Sequence, residues 1–320
     1  MKILVTGGAG FIGSNIVDAL ISRGHKVVVI DNLSTGEKDN INPKAKFYKI
    51  DIRDKKIADI FKKEKPQAVF HYAAQIDARA SARDPMFDAE INVLGSINVL
   101  ESAAKSGVKK IVFASSGGNL SSEETVLPTP EDKISLPASP YGAAKFSVEM
   151  YLHFFWRTYG MRYIALRLAN VYGPRQSPHG EAGVVAIFMN KMLRGEEPTI
   201  FGDGKQTRDY VYVGDVVRAN LLALRSNKIG SFNVGTAKET NTLSLFRKIK
   251  KLTGAKIREV HGLPTNQKNR SGGLLPGEQK RSVLSFKKIQ REFGWRPIVT
   301  LDLGLKKTVE WFRKNVTRNA

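Results

Sequence analysis

The chain has 320 residues, 42% of them hydrophobic and 25% charged, with 28 glycines and 13 prolines. That composition excludes disorder, collagen and coiled coil, and the length allows about two domains of roughly 100–200 residues each. Cysteine is absent, which excludes disulfides, thiolate zinc sites and cysteine nucleophiles, while 51 Lys and Arg against 30 Asp and Glu leave a net charge of +21.

Lys2–Thr6 is a short apolar run ahead of a glycine-rich stretch, and Phe11–Ser22 carries Ile12, Ile16, Ala19 and Leu20 at helical spacing. Val27–Ile30, Lys46–Ile50 and Ala68–His71 read as the next strands, with a charged helix at Asp54–Lys63 between the last two. Asp84–Ser106 reads as one long helix, Ile111–Ala114 as a strand, Gly142–Tyr159 as a helix and Tyr163–Leu168 as a sixth strand. Such alternation predicts an α/β fold with a doubly wound parallel sheet covered on both faces. After Asn170 the texture changes: glycine and proline cluster in Tyr172–Gly183, Gly195–Gly204 and Leu263–Gly277, the last reading as a loop. Helical spacing returns at Leu301, Leu305, Val309 and Phe312. We expect a nucleotide-binding domain over 1–169 and a smaller α/β substrate domain over 170–320, some of whose segments return to the first sheet.

The charge is uneven, with a net of +3 over residues 1–160 and +18 over 161–320. The lysines sit at helical spacings, as in Lys248, Lys250 and Lys251 or Lys287, Lys288, Lys306 and Lys307, which reads as a solvated basic face. A nucleic-acid surface would concentrate them among aromatics or a reading motif. No apolar run approaches the roughly 20 residues of a membrane span, and Gly7 and Gly8 interrupt the N-terminal one before it resembles a secretion signal. These features predict a cytoplasmic protein without nucleic-acid or membrane partners. The five histidines show no ligand spacing, so no metal site is expected.

Gly7-x-x-Gly10-x-x-Gly13 lies between the first strand and the first helix, where glycines let the backbone approach a pyrophosphate held on the helix N-terminus. Asp31 ends the second strand, and a carboxylate there accepts both adenine-ribose hydroxyls and repels a 2′-phosphate, which favours NAD. Tyr141 and Lys145 are one helical turn apart, one unit after Ser115-Ser116 at the end of the fifth strand, where a doubly wound sheet faces its cofactor. An ammonium there, with an oxidised nicotinamide, would favour the phenolate and lower the tyrosine pKa.

The Gly7–Gly13 loop, Asp31-Asn32-Leu33-Ser34-Thr35-Gly36, His71-Tyr72-Ala73-Ala74-Gln75 and Tyr141–Lys145 resemble the extended short-chain dehydrogenases/reductases, whose sheet is of the Rossmann type. Asn170-Val171-Tyr172-Gly173-Pro174-Arg175, Gly202-Asp203-Gly204-x-x-Thr207-Arg208-Asp209-Tyr210-Val211 and Phe232-Asn233-Val234-Gly235 extend the likeness over nearly the whole chain. Within that family it is most similar to the nucleotide-sugar epimerases, UDP-glucose 4-epimerase in particular.

The resemblance implies a homodimer with tightly held, recycled NAD, acting on a UDP-sugar through a 4-keto intermediate. Tyr141 would be general base and acid. Lys145 would orient the nicotinamide ribose, and Ser116, with Ser115 as the fallback, would bond the reacting oxygen. Cofactor contacts would come from Gly7, Gly10, Phe11, Ile12, Gly13, Asp31, Asn32, Ser34, Thr35, Gly36, Asp51, Ile52, Ala73, Ala74, Gln75 and Asn92. Asn170 and Arg208 would meet the diphosphate, Glu278 the uridine ribose, and Ser282 the C2 side of the sugar, where a small residue leaves room for an N-acetyl group.

Two stretches depart from the family pattern. Asn119-Leu120-Ser121-Ser122-Glu123 replaces the usual Val-Tyr-Gly continuation, and Leu275 stands where a diphosphate arginine is common, with Arg270 and Arg281 the nearby substitutes. An unreplaced charge-assisted contact would cost about 1.5–3 kcal/mol. The competing readings are another nucleotide-sugar enzyme of this family (a decarboxylase, a different epimerase or a 4,6-dehydratase) and a non-enzymatic dinucleotide sensor. Gly117-Gly118 stand where a dehydratase needs its Asp-Glu pair, and intact Tyr141, Lys145 and Ser116 argue against the sensor.

Overall fold

The structure is a computed structural model that describes residues 1–118, 126–133, 137, 139–179, 183–262 and 280–316. The first half runs β1 (Lys2–Thr6), α1 (Phe11–Ile21), β2 (Lys26–Asp31), β3 (Lys46–Lys49), α2 (Ile57–Glu64), β4 (Ala68–His71), α3 (Ala78–Arg83), α4 (Pro85–Ala89), a π-helical turn (Glu90–Gly95), α5 (Ser96–Lys105), β5 (Lys110–Ser116), α6 (Pro140–Tyr159) and β6 (Arg162–Leu168). The second half runs β7 (Asn170–Tyr172), α7 (Val184–Leu193), β8 (Thr199–Phe201), β9 (Thr207–Arg208), β10 (Tyr210–Tyr212), α8 (Val213–Arg225), β11 (Gly230–Val234), β12 (Thr240–Asn241), α9 (Thr242–Thr253), β13 (Val260–Gly262), β14 (Arg281–Ser282), α10 (Lys287–Phe293) and α11 (Leu301–Val316).

Seven strands form one sheet in the order β11-β6-β5-β4-β1-β2-β3, every pair parallel. Strands buried on both faces must be apolar on both, which is why Val27–Ile30 and Ala68–Phe70 read as continuous hydrophobic runs. The period of two divides them between two cores. Ile3, Val5 and Val112 pack with α1 and α8, whereas Leu4, Ile111 and Phe113 pack with α2, α5 and α6. The winding reverses between β1 and β4, and the crevice opens at their C-terminal ends. A third core, built on Phe188, Met189, Phe246, Ile249, Leu305 and Phe312, joins α7, α9 and α11 beside the shorter sheets.

α6 shows how the sequence sets a helix start. Ser139 accepts a hydrogen bond from the Gly142 N–H at 3.1 Å, Pro140 fills the first turn, and Gly160 ends the helix at φ 67°. Lys110 also has a local reason to be buried: its ammonium donates to the carbonyls of Leu224 at 2.7 Å and Ala223 at 3.3 Å, at the C-terminus of α8. It thereby satisfies carbonyls left open by the helix end.

The single helix predicted over Asp84–Ser106 runs without interruption from Pro85 to Lys105, with a π turn inside it. Asp84 caps α4 by accepting from the Phe87 N–H, and Glu90–Gly95 widens into a π turn before α5. Asn92 lies in this turn, where its side chain donates to the Gln75 carbonyl and the Asp88 carboxylate at 2.9 Å and accepts from the Gln75 N–H at 2.9 Å. The predicted loop at Pro264–Gly277 and the departure at Asn119–Glu123 lie outside the described residues. Among the described residues, no helix is long and apolar enough to cross a membrane.

Candidate active site

One cleft of about 1510 Å³ runs from the glycine-rich loop to the end of β5. Its first wall holds Gly7, Gly10, Phe11, Ile12 and Gly13, then Asp31, Asn32, Ser34, Thr35 and Gly36 after β2. Asp51 and Ile52 follow from the turn after β3, and Ala73, Ala74 and Gln75 from that after β4. Ser116, Tyr141, Lys145 and Asn170 face the same space.

The loop geometry explains its glycines. Gly7 has φ 69°, and a Cβ there would lie 2.5 Å from the Ala73 nitrogen; a Cβ on Gly13 would lie 2.1 Å from the Gly7 carbonyl oxygen. Backbone thus packs on backbone, leaving the start of α1 open toward the cleft with no side-chain cap from Gly10. Asp31 braces this turn, accepting from the Ala9 N–H at 3.0 Å and the Leu33 N–H at 2.9 Å. Arg53 holds the Asp51 carboxyl down to about 2, and Asn32 donates to it at 2.8 Å. An uncapped helix start beside the Asp31 and Asp51 side chains fits a pyrophosphate and an unphosphorylated ribose, hence NAD.

At the other end, Lys145 is 3% exposed. Its Nζ donates to the Ala114 carbonyl at 3.0 Å and lies 5.6 Å from the centre of the Tyr141 ring. Burial pushes Lys145 down to about 8, opposed by the Asp88 carboxylate. The expected lowering of the phenol is not what the protein's own groups produce: burial, and then Asp88, push Tyr141 well above the usual tyrosine range. The Lys145 ammonium is turned to a carbonyl instead. Asp88, whose Oδ2 is buried and without a partner among the described residues, is a site neighbour that sequence reasoning missed. Ser115 donates to Glu149 at 2.6 Å, which ties it to α6 and leaves Ser116 as the serine named for the reacting oxygen.

Behind this wall runs a buried polar chain. Thr6 Oγ1 accepts from the Tyr72 and Ala73 N–H groups and lies 2.6 Å from His71 Nδ1. His71 Nε2 lies 2.9 Å from Ser96 Oγ, which donates to the Asn92 carbonyl. These directions assign His71 as the neutral Nε2–H tautomer, and burial pushes its pKa down to about 3. Because the folded value lies below the unfolded one, its stability contribution is present above about pH 6.5 and is lost as pH falls toward 3. Nitrogen-15 NMR of the ring is expected to show that tautomer unchanged between about pH 5 and 8. Titration near 6.5 would refute the assignment.

Residues 3–235 match the NAD dependent epimerase/dehydratase family. The chain belongs to that family. Similar solved structures include UDP-glucose 4-epimerase of Thermotoga maritima with UDP-glucose (51% identical, TM-score 0.93, covering 99% of this chain and 100% of that one). UDP-glucose 4-epimerase of Thermus thermophilus with NAD is 42% identical, with TM-score 0.89 over 98% and 99% of the two chains. A UDP-N-acetylglucosamine 4-epimerase of Methanobrevibacter ruminantium, in complex with UDP-N-acetylmuramic acid, is 34% identical, with TM-score 0.89 over 98% of each chain.

Asn92, Arg208 and Ser282, named for the epimerase site, are not among the described residues that line the cleft. Asn92 is buried one layer behind it and acts on Gln75. Arg208 donates to the neighbouring Thr207 carbonyl at 2.8 Å from β9 and is not among the lining residues. Ser282 is buried against Gly118, whose added Cβ would lie 3.2 Å from its Oγ. Arg281 is paired with Glu239 at 2.6 Å. Glu278, Arg270 and Leu275 lie outside the described residues. The Arg208-Asp209-Tyr210 motif has a structural centre: buried Asp209 accepts from Thr236, Ala237 and Leu284 N–H groups, and Gly235 leaves room for it. Arg175 and Gln176 also line the cleft; Arg175 has φ 72° and pairs with Asp18 at 2.8 Å.

Proposed function

We propose that this chain inverts C4 of UDP-hexoses, interconverting UDP-glucose and UDP-galactose with a resident NAD. The observation that carries the reading is that Ser116, Tyr141 and Lys145 line the same cleft as the Gly7–Gly13 loop. NAD, when bound, supplies the hydride acceptor and donor at sugar C4. Tyr141 takes the C4 hydroxyl proton and later returns it, Ser116 hydrogen-bonds the same oxygen, and Lys145 supplies fixed positive charge. Since burial disfavours the phenolate, positive charge entering the cleft completes the activation. Asn170 and Arg208 are assigned to the diphosphate and Glu278 to the uridine ribose. The test is incubation of the purified protein, without added cofactor, with UDP-glucose, UDP-galactose and their N-acetyl counterparts. Interconversion of a 4-epimer pair supports the reading; a 4-keto-6-deoxy or decarboxylated product overturns it.

Ser282 is assigned to the C2 side of the sugar, and its small side chain supports acceptance of N-acetylated substrates. Ser282→Tyr is expected to lower turnover of UDP-N-acetylglucosamine by at least about tenfold while UDP-glucose turnover changes less, a pocket-filling effect of about 1–3 kcal/mol. Equal losses on both sugars would contradict this.

Two further assignments accompany the function. Residues 1–169 hold the dinucleotide and 170–320 supply most of the substrate wall, with β11 contributing to the large sheet. A homodimer is supported by two apolar side chains on α6, Met150 at 52% and Phe154 at 50% exposed, together with exposed Met86 on α4 and Leu94 in the π turn. Those side chains face outward, not into the core, as a pairing surface requires.

A further inference from the structure

Glu149 lies one helical turn beyond Lys145 and two beyond Tyr141, so the three share a stripe on α6. It is 1% exposed, and its two oxygens accept four hydrogen bonds from three strands. Oε1 accepts from Ser115 Oγ at 2.6 Å and Arg167 Nε at 3.0 Å; Oε2 accepts from Arg167 Nη2 at 2.7 Å and Ser231 Oγ at 2.6 Å. Arg167 is buried too and also donates to the Glu131 carbonyl at 2.9 Å.

A buried ion pair is a poor source of net stability beside apolar packing, but a bidentate pair fixes direction and distance closely. The place of this one matters. Ser115 directly precedes Ser116 and lies opposite Arg167 in the β5–β6 register. The residue before it, Ala114, holds the Lys145 ammonium through its carbonyl. Two successive turns of α6 are thereby fastened to the last residues of β5, from which Ser116 meets the cleft.

We propose that Glu149 and Ser115 are positioning residues that hold Tyr141 and Lys145 in register with Ser116; Ser115 stands at the cleft wall, but its hydroxyl is turned to Glu149. This rests on the function proposed above. A misplacement of about 1 Å in such a constellation costs on the order of 100-fold in rate, so loss of one tether should cost less. Ser115→Ala is the informative change, because Glu149 keeps Arg167 and Ser231 and no buried charge is orphaned.

The assay uses the full-length holoenzyme with UDP-galactose, rates being expressed per bound dinucleotide. Ser115→Ala is expected to lower kcat about tenfold with KM within about twofold of wild type, and Ser115→Thr, which keeps the hydroxyl, to recover most of the loss. A kcat for Ser115→Ala within about twofold of wild type, or a Thr variant no better than the Ala one, overturns the proposal. Tyr141→Phe in parallel separates the two ideas: if it turns over normally the functional reading fails, whatever Ser115 does.

Discussion

Tyr141→Phe is expected to slow epimerisation by about 10²–10⁴-fold while the protein stays folded and keeps its dinucleotide. The substitution removes one oxygen and retains the ring whose centre lies 5.6 Å from the Lys145 ammonium. It leaves untouched the Lys145 bond to Ala114 and the loop Gly7–Gly13 that forms the other end of the cleft. What disappears is the group that exchanges a proton with the C4 oxygen. The protein holds that phenol neutral by burial, so its acid form is secure and its base form must be drawn out by positive charge in the cleft. Two of its neighbours are committed elsewhere, Lys145 to a carbonyl and Ser115 to Glu149. The measurement is the initial rate of UDP-galactose conversion, with bound NAD quantified after denaturation. Turnover within about tenfold of wild type would remove Tyr141 from the chemistry.

The parts of this site that were legible in the sequence are those whose chemistry is local. Gly7, Gly10, Gly13 and Asp31 declare themselves because a tight turn between strand and helix needs glycine, and the next strand end must present its carboxylate. Tyr141, Lys145 and Ser116 are legible for a topological reason, since successive units of a doubly wound sheet deliver their strand ends to one crevice. The π turn was not legible, because the residues of Glu90–Gly95 suit an ordinary helix and the contacts Asn92 makes there, to Gln75 and Asp88, appear only in the folded chain. Glu149 and Arg167 were missed because each looks like a surface charge until β6 is laid beside β5. The available signal was an acid at the i+4 position after Lys145, within the apolar series Ala144, Val148 and Leu152. Arg208 sits in a recognisable string, and its guanidinium donates to the Thr207 carbonyl beside it.

The two later glycines of the loop are expected to fail in different ways. Gly10 has φ −78°, open to any residue, and an added Cβ would lie 3.3 Å from the Gly7 carbonyl, a contact that a few tenths of an ångström relieve. Gly13 has no such margin: its Cβ would lie 2.1 Å from the Gly7 oxygen and 2.8 Å from the Gly7 carbonyl carbon. Neither Gly7 nor the helix can yield separately, since Gly7 is itself pressed on Ala73 and its N–H is bonded to the Ile30 carbonyl at 2.8 Å. Gly13→Ala must therefore push α1 off β1, at a cost of about 2–3 kcal/mol or a Tm lower by roughly 5–10 °C. It should also empty the cleft of dinucleotide, because the helix start is what holds the pyrophosphate. Gly10→Ala should keep a near wild-type Tm as apoprotein, any loss appearing in NAD content alone. Thermal unfolding of both apoproteins, alongside their NAD stoichiometry as purified, tests the distinction. Equal Tm values for the two variants would mean that the turn is looser than its backbone contacts require.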